Sequence, residues 1–337
     1  MSHPAPRDGP ALDVRLVPAA LTGWLMSALG VLTPAGPALT ALCTLTAAAA
    51  ALARRRLPAP VVAAVLAAGV VGAGFGAAIM VRNNMIRDHP LAARYGAAAE
   101  VTVTPSEHPR PLGNGRLMFR ANLNRLGPQG SGGMVVVFAS GTAFGDVTAG
   151  RPVRFRARVG RPRRRDLTVA ALTAVGDPAF GTASPVQRLA GVVRDRFAAV
   201  TRETLPAGPA AILPGLVLGD TSGVSPPVAA QFKAAGLTHL MAVSGANVTI
   251  VCGAALLAAM FIGPRAAVLL AGVALLAFVV VVQPTASVLR AALMGGLSLL
   301  AVLTARRRQA VPALAGTVLA LLTVAPQLAI DAGFALS

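Results

Sequence analysis

A chain of 337 residues that is 55% hydrophobic and only 12% charged, with a mean hydropathy of +0.68, holds more apolar material than a water-soluble domain can bury. That balance excludes an ordinary soluble globule and makes a bilayer the expected solvent. The 30 Lys+Arg against 12 Asp+Glu give a formal charge of +18, which suits anionic partners, whether lipid headgroups or nucleic acid.

A polar, Pro-rich stretch precedes the first apolar run and several further runs follow, so the start is expected to stay attached rather than act as a cleaved signal peptide. Residues 16 to 33, 37 to 53 and 58 to 81 form three apolar runs, separated by Thr33-Pro34 with Gly36-Pro37 and by Arg54-Arg55-Arg56 with Pro58. Each is about as long as a helix needs to cross roughly 30 Å of hydrocarbon, and three transmembrane helices are expected. Cys43 and Cys252 each lie inside an apolar run and read as small hydrophobes, so neither a disulfide nor a metal is expected from them.

From Arg82 the character changes to charges, Pro, Gly and short alternating segments. Candidate strands are Glu100 to Thr104, Arg116 to Leu123, Met134 to Ala139, Pro152 to Val159 and Leu167 to Val175, with Gly-rich or Pro-rich turns between them. Five short strands point to a small, OB-like barrel. Period-two geometry places Arg154, Arg156 and Arg158 on one face of their strand and Arg116, Arg120, Asn122 and Asn124 on the outer face of theirs, with Phe119 and Phe155 inward. Such a basic stripe fits the backbone of a single-stranded nucleic acid; it also fits a solvated face near anionic lipid. With the aromatic residues inward, any grip on nucleic acid here is electrostatic rather than stacking. Residues 183 to 206 carry too many charges to span and read as an amphipathic helix on the outer membrane surface.

Further apolar runs cover 236 to 262, 266 to 282, 286 to 305 and 310 to 325. Placing both Arg triplets, 54–56 and 306–308, in the cytoplasm requires an even number of crossings between them, which puts the insert outside the cytoplasm. Just before these runs, a Gly/Ser/Pro turn at Gly219-Asp220 leads to His239, Ser244 and Asn247 in the opening turns of an apolar span. Polar groups at membrane depth are costly unless they face protein or a wet cavity, so these residues suggest a lined path, with close helix packing at Ser244-Gly245 as the simpler alternative.

This last region resembles the ComEC family of competence proteins. The family's signature is matched at Leu218, Gly219, Asp220, Ser222, Phe232, Gly236, Leu237, His239, Leu240, Ala242, Ser244 and Gly245; a second pattern at Pro284, Ser287, Arg290 and Ala291; and a third at Pro326, Leu328, Gly333, Phe334, Leu336 and Ser337. Many members have His where this chain has Asn247, which removes a titratable group there. The resemblance implies a multi-pass channel in the bacterial inner membrane for incoming single-stranded DNA; the residues expected along its path are Asp220, His239, Ser244, Asn247, Ser287 and Arg290, and those expected on the DNA backbone, from strand parity, are Arg116, Arg120, Arg154, Arg156 and Arg158. Membrane lipids are the other expected partner, and a DNA receptor and a cytoplasmic helicase are candidates. Because the chain stops within the third pattern, it reads as an N-terminal fragment of a protein that continues into further spans and a metallo-β-lactamase-like domain.

The expected architecture is therefore a polytopic α-helical membrane protein with an extracytoplasmic β-barrel insert. Its parts are a three-span region (1–81), the OB-like domain (82–182), the interfacial helix (183–206) and an incomplete channel core (207–337). No His-x-His-x-Asp-His motif is present, so no metal or other cofactor is expected and no nuclease activity can be placed here. A hydrolase built on Asp220, His239 and Ser244 would need a nucleophile elbow of the Gly-x-Ser-x-Gly kind, which is missing, so the chain is not expected to be an enzyme. A transporter of another anionic polymer or solute is the alternative reading.

Overall fold

The computed structural model describes residues 14–107, 109–221, 223–237, 245–283, 286–303, 310–331 and 334–335. The first three helices are α1 (Val17–Leu32), α2 (Gly36–Leu52) and α3 (Ala59–Arg87), each with a proline in its opening turn, where the missing N–H costs nothing. Gly69, Gly72 and Gly76 form a buried stripe on α3. At Gly69 an added Cβ would lie 2.9 Å from both the Ala47 side chain and the Cys43 carbonyl, so glycine lets α2 and α3 approach backbone to backbone. Cys43 faces the same seam and, like Cys252, is a free thiol.

The helix α3 continues past Arg82, where the sequence suggests the insert begins, and ends at Arg87. Its polar residues are accommodated by neighbours. Arg82 Nη2 donates to the Thr323 carbonyl at 2.9 Å, and Asn83 Nδ2 donates to that of Gly30 at 3.1 Å.

The insert is a closed barrel. Its strands are β1 (Ala98–Pro105), β2 (Arg110–Gly113), β3 (Arg116–Leu126), β4 (Gln129–Ser140), β5 (Val153–Gly160) and β6 (Ala170–Phe180). Five of them close in the order β1–β3–β4–β6–β5–β1, all neighbours antiparallel except the parallel pair β4–β6. The short β2 is a hairpin arm on β3, joined through Gly113, Asn114 and Gly115, all at positive φ. Val101, Val103, Phe119, Ala121, Val135, Val137, Val153, Ala157 and Leu172 are essentially inaccessible, and Phe144, from a 3-10 turn at Thr142–Asp146, sits edge-on to Phe155 with ring centroids 5.5 Å apart.

The short β2 is absent from the sequence reading, β1 and β3 extend beyond it by two or three residues, and two other strand boundaries differ more. The glycine-rich segment from Gln129 to Gly133, which reads as a turn, is the first half of β4 because β3 supplies its ladder partners. The last strand starts at Ala170 rather than Leu167, whose φ of 63° belongs to a turn, and it continues to Phe180 through an irregularity opposite Arg154 and Arg156.

A helix α4 (Pro185–Thr204), whose N-cap Ser184 accepts from the Gln187 N–H at 3.2 Å, leads to the second helical group: α5 (Ala207–Leu218), α6 (Pro226–Ala234), α7 (Gly245–Ala258), α8 (Pro264–Val282), α9 (Ala286–Leu303) and α10 (Ala310–Val324). Of the expected span 236–262, the helix α7 covers only fourteen residues, about 21 Å at 1.5 Å per residue. Residues 238–244 lie outside those described, and 259–262 form a turn. Among the described residues three helices are long and apolar enough to cross a membrane, Gly36–Arg55, Ala59–Arg94 and Pro264–Val282, and five shorter apolar helices accompany them. Large apolar side chains such as Leu45, Leu52, Val273 and Leu276 are displayed on the outside of these helices, the inverse of a water-soluble surface.

Candidate nucleic-acid face and polar cluster

Alternation along β5 is complete. Val153, Phe155, Ala157 and Val159 are buried, and Arg154, Arg156 and Arg158 are exposed between them. On β3, Arg116, Arg120, Asn122 and Asn124 are likewise exposed, and the hairpin arm β2 partly covers Met118. Because β1 lies between β3 and β5, the two arginine sets flank the outward side chains of β1. Phe119 and Phe155 are interior. Between residues 98 and 180 twelve arginines outnumber five acids, so the barrel carries a net positive charge of its own.

The face is not uniformly basic. Glu100 stands on β1 opposite Arg156, and its carboxylate accepts a hydrogen bond from Arg154 Nε. That bond holds the Glu100 carboxyl below the usual carboxylate range. Glu100, Arg154, Arg156 and Asp177 together line a shallow depression of about 540 Å³. Among the described residues the ion pairs are Arg154–Glu100 and Arg110–Glu107, which leaves Arg156 and Arg158 with no carboxylate partner there. A second basic group, Arg161 with Arg163, Arg164 and Arg165, follows β5 directly. Its Arg165 Nη1 reaches the Leu32 carbonyl at the end of α1 at 3.4 Å, and Arg161 lies over the Tyr95 ring at 5.7 Å.

At the other end of the barrel, Gly150 packs against Gln187 in the first turn of α4. Ala190, Arg194 and Thr201 turn one face of α4 into the protein, while Val186, Leu189 and Val200 remain exposed. Arg194 is only 8% exposed and donates from Nη1 to the Val281 carbonyl at 2.8 Å, near the end of α8. Burial works against this charge, and the Asp195 and Asp220 carboxylates support it. Phe197, one turn farther along α4, packs with Leu218, Val282 and Val288 where α5, α8 and α9 meet.

Three of the polar candidates, Asp220, Asn247 and Ser287, lie around this junction. Gly219 caps α5 in the left-handed conformation at φ 74°, and Asp220 follows it, half-buried, with its N–H donating to the Pro214 carbonyl at 3.2 Å. Asn247 Nδ2 donates to the Leu216 carbonyl at 2.9 Å, tying the first turn of α7 to α5. The starts of α7 and α9 adjoin, since an added Cβ on Gly245 would lie 3.7 Å from that of Ala291. Ser287 is half-buried on the first turn of α9. Arg290 lies one turn on and points elsewhere: its Nη1 donates to the Phe334 carbonyl at 2.8 Å, and Phe334 stacks edge-on to Trp24 of α1. His239 and Ser244 lie outside the described residues.

Two members of this region escape sequence reasoning. Arg194 looks like any charge on an amphipathic helix. Gln283 is 7% exposed, has φ 73°, and has a side-chain amide nitrogen with no hydrogen-bond partner among the described residues. The one available signal was its place before Pro284, where a helix must end.

Residues 216–337, the stretch that holds Asp220, Asn247, Ser287 and Arg290, match the model of a family described as Competence protein. Over these residues the chain is similar to the competence proteins, the family that its sequence motifs resemble. The match begins within α5, so the barrel and α4 precede the competence segment, and Arg194 reaches from α4 into it at Val281. No curated protein and no solved structure matches the chain significantly. The competence segment thus contributes the junction's α5 end, α7, α8 and α9, while its principal buried cation comes from outside it.

Proposed function

We propose that this protein is a multi-pass channel of the bacterial inner membrane that takes up single-stranded DNA during natural transformation. In this reading the barrel is the receiving face and residues 207–337 form the channel core. The observation that carries it is the outward row Arg154, Arg156 and Arg158, standing on a barrel that is joined in one chain to a competence segment. The closed five-strand barrel, with its single parallel pair and a short helical turn between β4 and β5, supports reading the insert as an OB barrel, a fold that binds single strands along such faces. With its aromatic rings interior, this barrel would hold DNA by charge, with little sequence preference.

Hydrogen bonds support a barrel-side end of the bundle. They join the C-terminal part of α3 to the C-terminal ends of α1 and α10, and Arg165 of the barrel to the end of α1. We place that end outside the cytoplasm and the Arg triplets within it. DNA would pass from the β5 face toward the junction of α5, α7 and α9, where Asn247 and Ser287 contribute to the polar path, while Arg290 holds the end of the segment through the Phe334 carbonyl; His239 and Ser244 are the further candidates for this path. Asp220 would brace the turn after α5 rather than touch a polyanion. No catalytic role is assigned to these residues, and a DNA receptor and a cytoplasmic helicase are the proposed protein partners.

The test is a strain carrying Gln at positions 154, 156 and 158. Uptake should fall, and binding of single-stranded DNA by the purified chain should weaken and lose part of its salt dependence, because each phosphate neutralised releases counterion. Unchanged binding would leave the row as a solvated face. Normal uptake in a strain lacking the protein would transfer the proposal to another anionic polymer or solute, and intact uptake by Ser244→Ala would fit a channel and not a hydrolase.

A further inference from the structure

Between α3 and α10 lies an open crevice of about 330 Å³, at the small end of ligand-sized pockets. Its walls are apolar, with Val71, Gly74 and Ala78 on α3 and Leu319 and Leu322 on α10. Gly74 and Ala78 are stacked one turn apart, and a Cβ built on Gly74 meets nothing within 4 Å, so the missing side chain is part of what keeps the crevice open. Arg82 stands at one end. From Val71 to Arg82 the helix rises about 16 Å, close to half of the roughly 30 Å hydrocarbon thickness. The crevice is therefore one leaflet deep, apolar along its length and cationic at the end where α3 leaves its apolar run.

Arg82 is half-buried and donates to the Thr323 and Val324 carbonyls at 2.9 and 3.4 Å, which fixes the guanidinium over the C-terminal end of α10. A guanidinium has five N–H groups in a planar fork, so donors remain for an anion at the mouth. Val81 and Met85, on either side of Arg82, are exposed by 58% and 67%, which puts the mouth at the boundary of an apolar surface. The basic group from Arg161 to Arg165 reaches the end of α1 on the same side. From these features we infer that the crevice holds one acyl chain of an anionic phospholipid, with the phosphate on Arg82. The bound lipid fills a gap that α3 and α10 leave between them and joins the first helical group to the last. This inference is independent of what the channel carries.

The full chain, reconstituted in vesicles of equal phosphatidylglycerol and phosphatidylcholine and then released into detergent, would be examined by native mass spectrometry. The expected result is one retained phospholipid, enriched about fivefold for phosphatidylglycerol, the ratio that one arginine near a headgroup of net negative charge gives over a zwitterionic one. Arg82→Gln should keep the lipid and lose the enrichment. Gly74→Phe should lose the lipid whatever its headgroup, with Ala78→Leu as a milder filling variant should the phenylalanine impair folding. Equal retention by the wild type and the filled variants would overturn the proposal, as would equal retention of the two lipids by the wild type. A lipid-free dimer closed through this face would also overturn it.

Discussion

At the scale of single residues, the charge on the barrel is set by which arginines are already engaged. Glu100 competes with any phosphate for Arg154, and the two are exposed, so the pair adds little to stability but occupies a donor that binding would need. Glu100→Gln should tighten binding of single-stranded DNA and steepen its dependence on salt by up to about 0.7 in the logarithmic slope, the value for one more phosphate on a single strand. Acid should act in the same direction. Because Arg154 holds the Glu100 carboxyl below its usual range, the pair persists above that range and is lost only as pH falls through the lowered value. Binding measured against pH should therefore rise at the acid end in the wild type and not in the Gln variant. Arg194 presents the opposite case, a buried charge held by a carbonyl. Arg194→Ala should lower stability by about 1.5–3 kcal/mol, seen as an earlier thermal transition of the detergent-solubilised chain, and Arg188→Ala, on the exposed side of α4, should change it by less than about 0.5 kcal/mol.

At the scale of elements, the barrel is the part whose design was most visible in advance. Alternation from Phe119 to Leu123 in β3 and along the whole of β5 places every second residue in the core whatever the neighbouring strands are, because side chains alternate faces along a regular strand. Phe119, fully inaccessible, has no room to collapse around, and Phe119→Ala should cost about 3–5 kcal/mol in denaturant unfolding followed by barrel signals. Alternation does not say which strands adjoin, so the interposition of β1 between the two arginine sets, and with it the place of Glu100, came from pairing. The strand at Gln129 was hidden because five residues containing three glycines have no strand propensity of their own; the ladder to β3 supplies it. On α4 the charges and apolar residues were evident, but not that a cation would face the protein. That depended on an unpaired carbonyl at the end of a helix far along the chain.

At the scale of the whole molecule, the order of apolar runs and Arg triplets is a topological statement, and reporter fusions can test it: fusions at Gly130 and Arg307 should report opposite sides of the membrane. The same side for both would invert or break the proposed path of DNA. Arg290→Ala should reduce uptake while leaving the protein in the membrane, since its hydrogen bond to Phe334 positions the end of the competence segment rather than anchoring a span. From sequence alone came the apolar helices, the small barrel with its inward aromatic residues, and the competence segment with its polar candidates. These follow from local periodicity and motif spacing, which depend on residues near one another in the chain. What surrounds Asn247 and Arg290, the burial of Arg194 and Gln283, and the crevice beneath Arg82 were decided only by tertiary structure. Each depends on partners tens to hundreds of residues away, and no local pattern records which carbonyl a buried donor will find.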